Sequence, residues 1–191
     1  MIETKQARSF IAIPLSDPLL SAAIAIQNHL KQSLSDVRWT KPESMHLTLH
    51  FFGEMGEESL EKAGSVMVSI ESLFSPFTMT LARVGAFPSP DRAQLFWLGV
   101  KSGRLTELHS TLAKRLRESG FPCEKRLFKP HITLGRCRGG PQLARHILSL
   151  ENDSIAGEMT VSSLVLFEST LLPSGAIHKP RQTSYLTTGS N

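Results

Sequence analysis

Two short stretches decide how this chain is read: His46-Leu47-Thr48-Leu49 and His131-Ile132-Thr133-Leu134. Each alternates a polar with an aliphatic residue. In a β-strand, side chains at i and i+2 share one face. His46 and Thr48 therefore project together, opposite Leu47 and Leu49. His131 and Thr133 do the same, opposite Ile132 and Leu134. Each stretch has a proline shortly before it (Pro42, Pro130) and a glycine after it (Gly53, Gly135). The two lie 85 residues apart in a chain of 191. A near-identical pattern at close to half-chain spacing predicts two similar lobes, each offering one imidazole and one hydroxyl to a shared cleft.

Working outward, strand patterns are expected over Ser9–Pro14, Val37–Thr40, Met45–Phe52, Phe77–Phe87, Gln94–Val100, Phe128–Leu134, Met159–Ser169 and Tyr185–Thr187. Helical patterns are expected over Leu19–Leu30, Glu54–Leu73, Gly103–Ser119 and Gln142–Leu150, with Ser16-Asp17-Pro18 offering cap residues to the first. In the third, Leu105, Leu108, Leu112 and Leu116 recur at helical spacing. Pro88-Ser89-Pro90-Asp91 predicts a hairpin-like link and Leu172-Pro173-Ser174-Gly175 a turn. Interspersed strands and helices with turn-linked strand pairs give an α+β class: a bilobal, pseudo-twofold fold of two antiparallel sheets backed by helices, with a central cleft. Residues 1–191 are read as one domain of two interleaved lobes. Since such a chain carries both halves of its own site, a monomer is expected.

Composition narrows the function classes. Apolar residues make up 40% and charged residues 20%, which excludes global disorder. No run of about 20 apolar residues is present, so no membrane helix is expected. Phe10–Leu15 is too short for a leader and is broken by Pro14. The two cysteines, Cys123 and Cys137, form no CxxC pair and are expected as free thiols of a cytoplasmic protein. No GxxxxGK[ST] loop or GxGxxG turn is present, which argues against nucleoside triphosphate or dinucleotide chemistry. The formal net charge of +4 is uneven. Residues 1–95 hold 8 basic and 10 acidic side chains, against 13 and 7 in the remainder. Lys125, Arg126, Lys129, Arg136 and Arg138 flank the second repeat with no acid among them, which points to an anionic ligand.

Paired imidazoles suit phosphate-ester chemistry. A neutral histidine takes a proton from water while a protonated one donates to a leaving oxygen, and both forms exist near neutral pH. Threonine hydroxyls donate to the non-bridging oxygens. The scheme requires no metal or cofactor, and no HExxH pair or neighbouring carboxylate suggests one. Phe52 lies six residues beyond His46, so strict alternation puts it on the same face, where it either stacks on a base or packs into the core. His50 shares that expectation. Arg136 lies five beyond His131, so alternation puts it on the opposite face unless a bulge near Gly135 re-aims it.

Trp39, Pro42 and Phe51-Phe52-Gly53 around the first repeat resemble one signature of the 2H phosphoesterase superfamily. Phe128-Lys129-Pro130-His131-Ile132-Thr133-Leu134-Gly135-Arg136 resembles the other. Arg8–Ile13 and Leu164–Leu172 resemble its opening and closing strands. Within it the chain is similar to the RNA 2′,3′-cyclic phosphodiesterases, also called 2′-5′ RNA ligases. The resemblance implies His46 as proton donor to the leaving 3′ oxygen, His131 as proton acceptor from water, Thr48 and Thr133 on the phosphate, and Arg136 on the substrate. It implies an RNA partner with a 2′,3′-cyclic phosphate end, such as a tRNA fragment, and a 2′-phosphomonoester product. Many relatives carry an aromatic where this chain has His178. The competing readings are 2′-5′ ligation, hydrolysis of another cyclic phosphate such as ADP-ribose 1″,2″-cyclic phosphate, and a non-catalytic module binding RNA ends.

Overall fold

A computed structural model describes residues 7–122, 124, 126–151, 156–172 and 175–187. Cys123, Lys125, Pro173 and Ser174 of the expected turn, and residues 1–6 lie outside these. The described strands are β1 (Ala7–Pro14), β2 (Val37–Trp39), β3 (His46–Met55), β4 (Phe77–Phe87), β5 (Leu95–Lys101), β6 (His131–Cys137), β7 (Glu158–Val161), β8 (Ser163–Leu172) and β9 (Gly175–Tyr185). The helices are α1 (Asp17–Ser33), α2 (Glu57–Val68), α3 (Leu105–Glu118) and α4 (Arg145–Glu151).

The apolar periodicities explain the packing. Leu105, Leu108, Leu112 and Leu116 of α3 are fully buried, as their i, i+3, i+4 spacing requires. Leu47 and Leu49 of β3, and Ile132 and Leu134 of β6, enter the same core. Ser16 occupies the cap position of α1 but makes no side-chain capping bond; the proline in the first turn and Asp17 mark that end instead.

All the strand pairings are antiparallel, in the order β7-β4-β5-β6-β3-β1-β8-β9, with β2 paired to β6. The two expected sheets thus meet edge to edge at the two motif strands, and they meet narrowly. β3 and β6 pair at one position, Leu47 with Ile132. Beyond that point β6 pairs with β2 instead, at residues 135–137. The curled sheet therefore opens where the two repeats lie side by side.

Several expected boundaries shift. β3 runs through Gly53 to Met55, and α2 begins only at Glu57. β6 starts at His131 rather than Phe128. Met159–Ser169 is two strands, β7 and β8, and of the short strand expected at Tyr185–Thr187 only Tyr185 is strand, as the last residue of the eleven-residue β9. β9 is polar and contains Pro180, which obscures its pattern; an edge strand tolerates such a proline. No helix among the described residues is long and apolar enough to cross a membrane.

Candidate active site

β3 and β6 depart from simple alternation at matching places. Along β1–β3, Ala12 pairs with Thr48 and Ile11 with His50, so Leu49 is an extra residue. Along β5–β6, Trp97 pairs with Thr133 and Phe96 with Gly135, so Leu134 is an extra residue. Each bulge lies three residues after its histidine, and each inverts the facing of the residues beyond it. Position five after the histidine therefore returns to the histidine's face. That position is Phe51 in one strand and Arg136 in the other.

This re-aims Arg136 to the His131 face, against strict alternation. For Phe52 it favours core packing over base stacking. A second shift makes Phe52 the extra residue, between Phe51 and Gly53. Phe52 packs edge-on against His50 (4.6 Å between ring centroids) and Phe121 (5.0 Å), partly buried on the core. Phe51 takes the expected place: it is 59% exposed and lies 5.6 Å from Phe10, which carries the His46 ring. His50 pairs with Ile11 on the other face and is buried.

The two glycines after the repeats serve these bulges differently. Gly53 has φ +80°, a conformation that side chains disfavour. At Gly135 a Cβ would come within 2.7 Å of Val37 Cγ1 and 2.9 Å of Trp39 Cε3, so β2 could not lie against β6. The Leu134 bulge has a further support. Its carbonyl accepts from the Thr40 N–H (2.9 Å) and from Nε2 of the buried Gln27 (2.9 Å), which also donates to Thr40 O (2.7 Å). A side chain of α1 thereby holds the strand that carries the second repeat.

Both histidines are fixed in the same manner. His131 Nδ1 lies 2.7 Å from the Lys129 carbonyl two residues upstream. A carbonyl only accepts, so Nδ1 carries the proton and Nε2 is the basic nitrogen. His46 hydrogen-bonds the backbone of Ser44, again two residues upstream. Aromatic rings complete each setting. The His46 ring stacks on Phe10 (4.6 Å, 22°) with His178 edge-on at 5.2 Å. The His131 ring meets Phe87 edge-on at 5.4 Å and Trp97 at 6.5 Å. The resemblance singled out His178, but strand patterning did not place it beside His46, because β9 itself was not legible.

Burial pushes the His46 pKa down to about 4, helped by nearby His178 and opposed by the Ser44 backbone bond; His131 adds a smaller lowering. His178 is also lowered by burial, and His50 by burial and by neighbouring His109. These depressions link folding to pH. An imidazole whose folded pKa lies below its unfolded value near 6.5 favours the fold fully above pH 6.5. That contribution is lost as pH falls toward the folded value. For His46 the loss between pH 7.5 and pH 4 is about 3 kcal/mol. Urea unfolding of the wild type and His46→Gln at the two pH values is expected to show a drop that is smaller by about this amount in the variant. An equal drop in both proteins would contradict the buried, neutral His46.

A cavity of about 1040 Å³ opens beside the repeats, lined by Thr48 and Phe51 of β3, His131 and Arg136 of β6, and Phe87 and Leu95. Arg126, Lys129 and Arg138 line it too, so most of the basic cluster read from the sequence faces one space. Lys129 Nζ lies over the Phe87 ring at 5.7 Å. The far wall carries His109, stacked on Phe128 at 3.8 Å, and Glu124. His46 and Thr133 are not among the lining residues. Cys137 is a free thiol 3.1 Å from the Ala93 carbonyl. Among the described residues no three His, Cys, Asp or Glu side chains converge as a metal-ligand set.

A family profile described as "LigT like Phosphoesterase" matches residues 13–97 and again 98–178, one copy per repeat. The chain belongs to this family. A LigT-like chain was thus legible as an internal duplication. It is 36% identical over 174 residues to an Archaeoglobus fulgidus protein named RNA 2′,3′-cyclic phosphodiesterase, covering 90% of this chain and 96% of that one. A Methanothermobacter thermautotrophicus protein of the same name is 33% identical, with 91% and 95% covered. Among solved structures, TT0787 of Thermus thermophilus superposes with a TM-score of 0.81 at 23% identity, covering 96% of this chain and all of that one. E. coli LigT complexed with 3′-AMP gives 0.76 at 24% identity, again covering 96% and 100%. At these identities the two structures show the LigT-like fold.

Proposed function

We propose that this LigT-like chain hydrolyses 2′,3′-cyclic phosphate ends of RNA to 2′-phosphomonoesters by paired-histidine acid–base catalysis. The observation that carries the reading is the symmetric site: two imidazoles, each tied to a backbone group two residues upstream and each with a threonine at i+2. The names of the Archaeoglobus and Methanothermobacter relatives support the substrate class.

In this mechanism His131 Nε2 takes a proton from water as the water oxygen bonds to phosphorus. The P–O3′ bond breaks, its electron pair goes to O3′, and His46 delivers a proton there. Thr48 and Thr133 donate to the non-bridging oxygens as charge builds on them. The leaving oxygen is far more basic than the attacked phosphate, so a donor is essential.

His46 is neutral near pH 7 in the free protein, yet the donor must be charged. The anionic substrate supplies the missing stabilisation, since a negative charge beside a buried imidazole favours its protonated form. Substrate binding is therefore coupled to proton uptake at His46.

The residues need no metal for these steps. The test is turnover by chelator-treated protein on a panel of ends: oligoribonucleotide 2′,3′-cyclic phosphates, nucleoside 2′,3′-cyclic phosphates and ADP-ribose 1″,2″-cyclic phosphate. The expected result is undiminished turnover after EDTA with oligoribonucleotides preferred. Loss restored by zinc or manganese would contradict the metal-free scheme. Preference for the ADP-ribose ester would redirect the substrate class.

A further inference from the structure

The proposed reaction leaves the imidazole beside His46 unused. His178 of β9 lies 4.9 Å from the Phe10 ring and 5.2 Å from the His46 ring, at 87° and 86° to their planes. Phe10 and His46 are themselves 4.6 Å apart. The three centroids form a nearly even triangle, so His178 stands beside the stacked pair and against both rings. Phe167 closes the group, 6.4 Å from His178.

Packing alone does not call for an imidazole there. Nδ1 of His178 is buried and finds no hydrogen-bond partner among the described residues. Buried polar atoms are normally paired, and an unpaired one weakens the fold. A phenylalanine would fill the same aromatic niche without that penalty. The surroundings supply no carboxylate either. β3 offers His46 and β1 offers Phe10, with exposed Arg8 a full strand further off, on the other side of Ser169. Ser169 of β8 is the cross-strand partner of His178, and the turn before β3 contributes Ser44, which donates to the Ala176 carbonyl. Glu168 and Lys179 oppose each other on the other face of the β8–β9 pair.

Two imidazoles this close, partly shielded from water, do not both hold a proton readily, because like charges disfavour each other. Burial lowers the titration of His178, and burial together with His178 lowers that of His46 further. Acid therefore reaches the half-buried His178 first, and its charge then opposes a second proton on His46. A phosphate against His46 reverses the preference, since a negative charge favours the protonated form of the imidazole nearest to it.

We propose that His46 and His178 form a one-proton pair, in which mild acid charges His178 and an arriving phosphate draws the charge onto His46. One proton leaves His178 for water as one joins His46, and only N–H bonds change. His178 is thus a positioning residue, acting on the reaction through the proton donor. Its part in turnover rests on the reading of His46 as that donor, whereas the pair itself belongs to the free protein.

NMR titration of the imidazole nitrogens in the free protein tests the pair without reference to turnover. In the wild type His178 is expected to titrate before His46, which follows near pH 4. In His178→Phe, His46 is expected to titrate at higher pH, although phenylalanine is the more apolar neighbour. His178→Gln, a second uncharged replacement, should move it the same way. An unchanged or lowered His46 in the phenylalanine variant would leave His178 a packing role only and overturn the pair. Calorimetry in buffers of differing ionisation enthalpy follows the transfer. The probe is a nucleoside 2′,3′-cyclic phosphate on His131→Ala protein, which removes turnover and one titrating imidazole together. Binding is expected to take up about one proton above neutral pH, and less as pH falls through the His178 titration. With His178→Phe added, uptake should stay near one until His46 itself titrates. Uptake that ignores His178 would overturn the pair. The expected order of titration in a wild-type protein that hydrolyses no cyclic end would uphold the pair and refute the proposed reaction.

Discussion

His131→Ala and His46→Ala are each expected to lower kcat by about 10³- to 10⁴-fold on a 2′,3′-cyclic phosphate end, near the upper limit for removing a general acid or base. The two losses are not expected to add. The proton transfers belong to one displacement, so the double variant should resemble either single one. Both folds should survive. His131 is only half-buried, and His46 leaves behind an aromatic wall of Phe10 and Phe167 that remains packed. Circular dichroism and urea unfolding check this. Near-wild-type turnover by either folded variant would contradict the paired mechanism.

Thr48→Val and Thr133→Val are expected to cost about 10²-fold each in kcat, the usual scale for one hydrogen-bond donor to a developing oxyanion. Valine keeps the branched shape and the strand preference, so the change removes a hydroxyl and little else. Thr48 is opposite the small Ala12 of β1, and Thr133 is opposite Trp97 of β5. KM should move less than kcat, because the hydroxyls act on charge that appears during reaction. A rise in KM with kcat unchanged would instead make them ground-state binding groups.

Much of this site was legible because a strand's period of two is strict over four residues. His46 with Thr48 and His131 with Thr133 needed nothing more than alternation, and the four leucines of α3 needed only helical spacing. What stayed hidden depends on breaks in period. The extra residues at the bulges, Leu49 and Leu134, are aliphatic like their neighbours and carry no mark of their own. Their effect appears only in the register with β1 and β5. That is why alternation gives Phe52 the place that Phe51 holds, and why Arg136 hung on a bulge that sequence alone could not supply. Gln27 is similar: one polar residue on an amphipathic helix gives no sign that its amide holds a carbonyl 107 residues away. β9 was missed because its residues are mixed and interrupted by Pro180, and His178 was lost with it as a neighbour of His46.

The basic cluster took a middle course. Its residues were evident as a run without acids, but their common direction was not. Arg126, Lys129, Arg136 and Arg138 line one cavity because the loop before β6 and the bulge within it turn them there. A net charge of +4 becomes a local positive field on the wall that also holds His131.

The central claim is that His46 and His131 direct water to open the cyclic phosphate on its 3′ side. The most direct test is phosphorus NMR of the products formed from an oligoribonucleotide 2′,3′-cyclic phosphate by the wild-type protein, with His46→Ala and His131→Ala alongside. A single 2′-phosphomonoester signal is expected from the wild type, and unreacted cyclic phosphate from both variants over the same interval. A 3′-phosphomonoester, or the same product from either variant at a comparable rate, would contradict it.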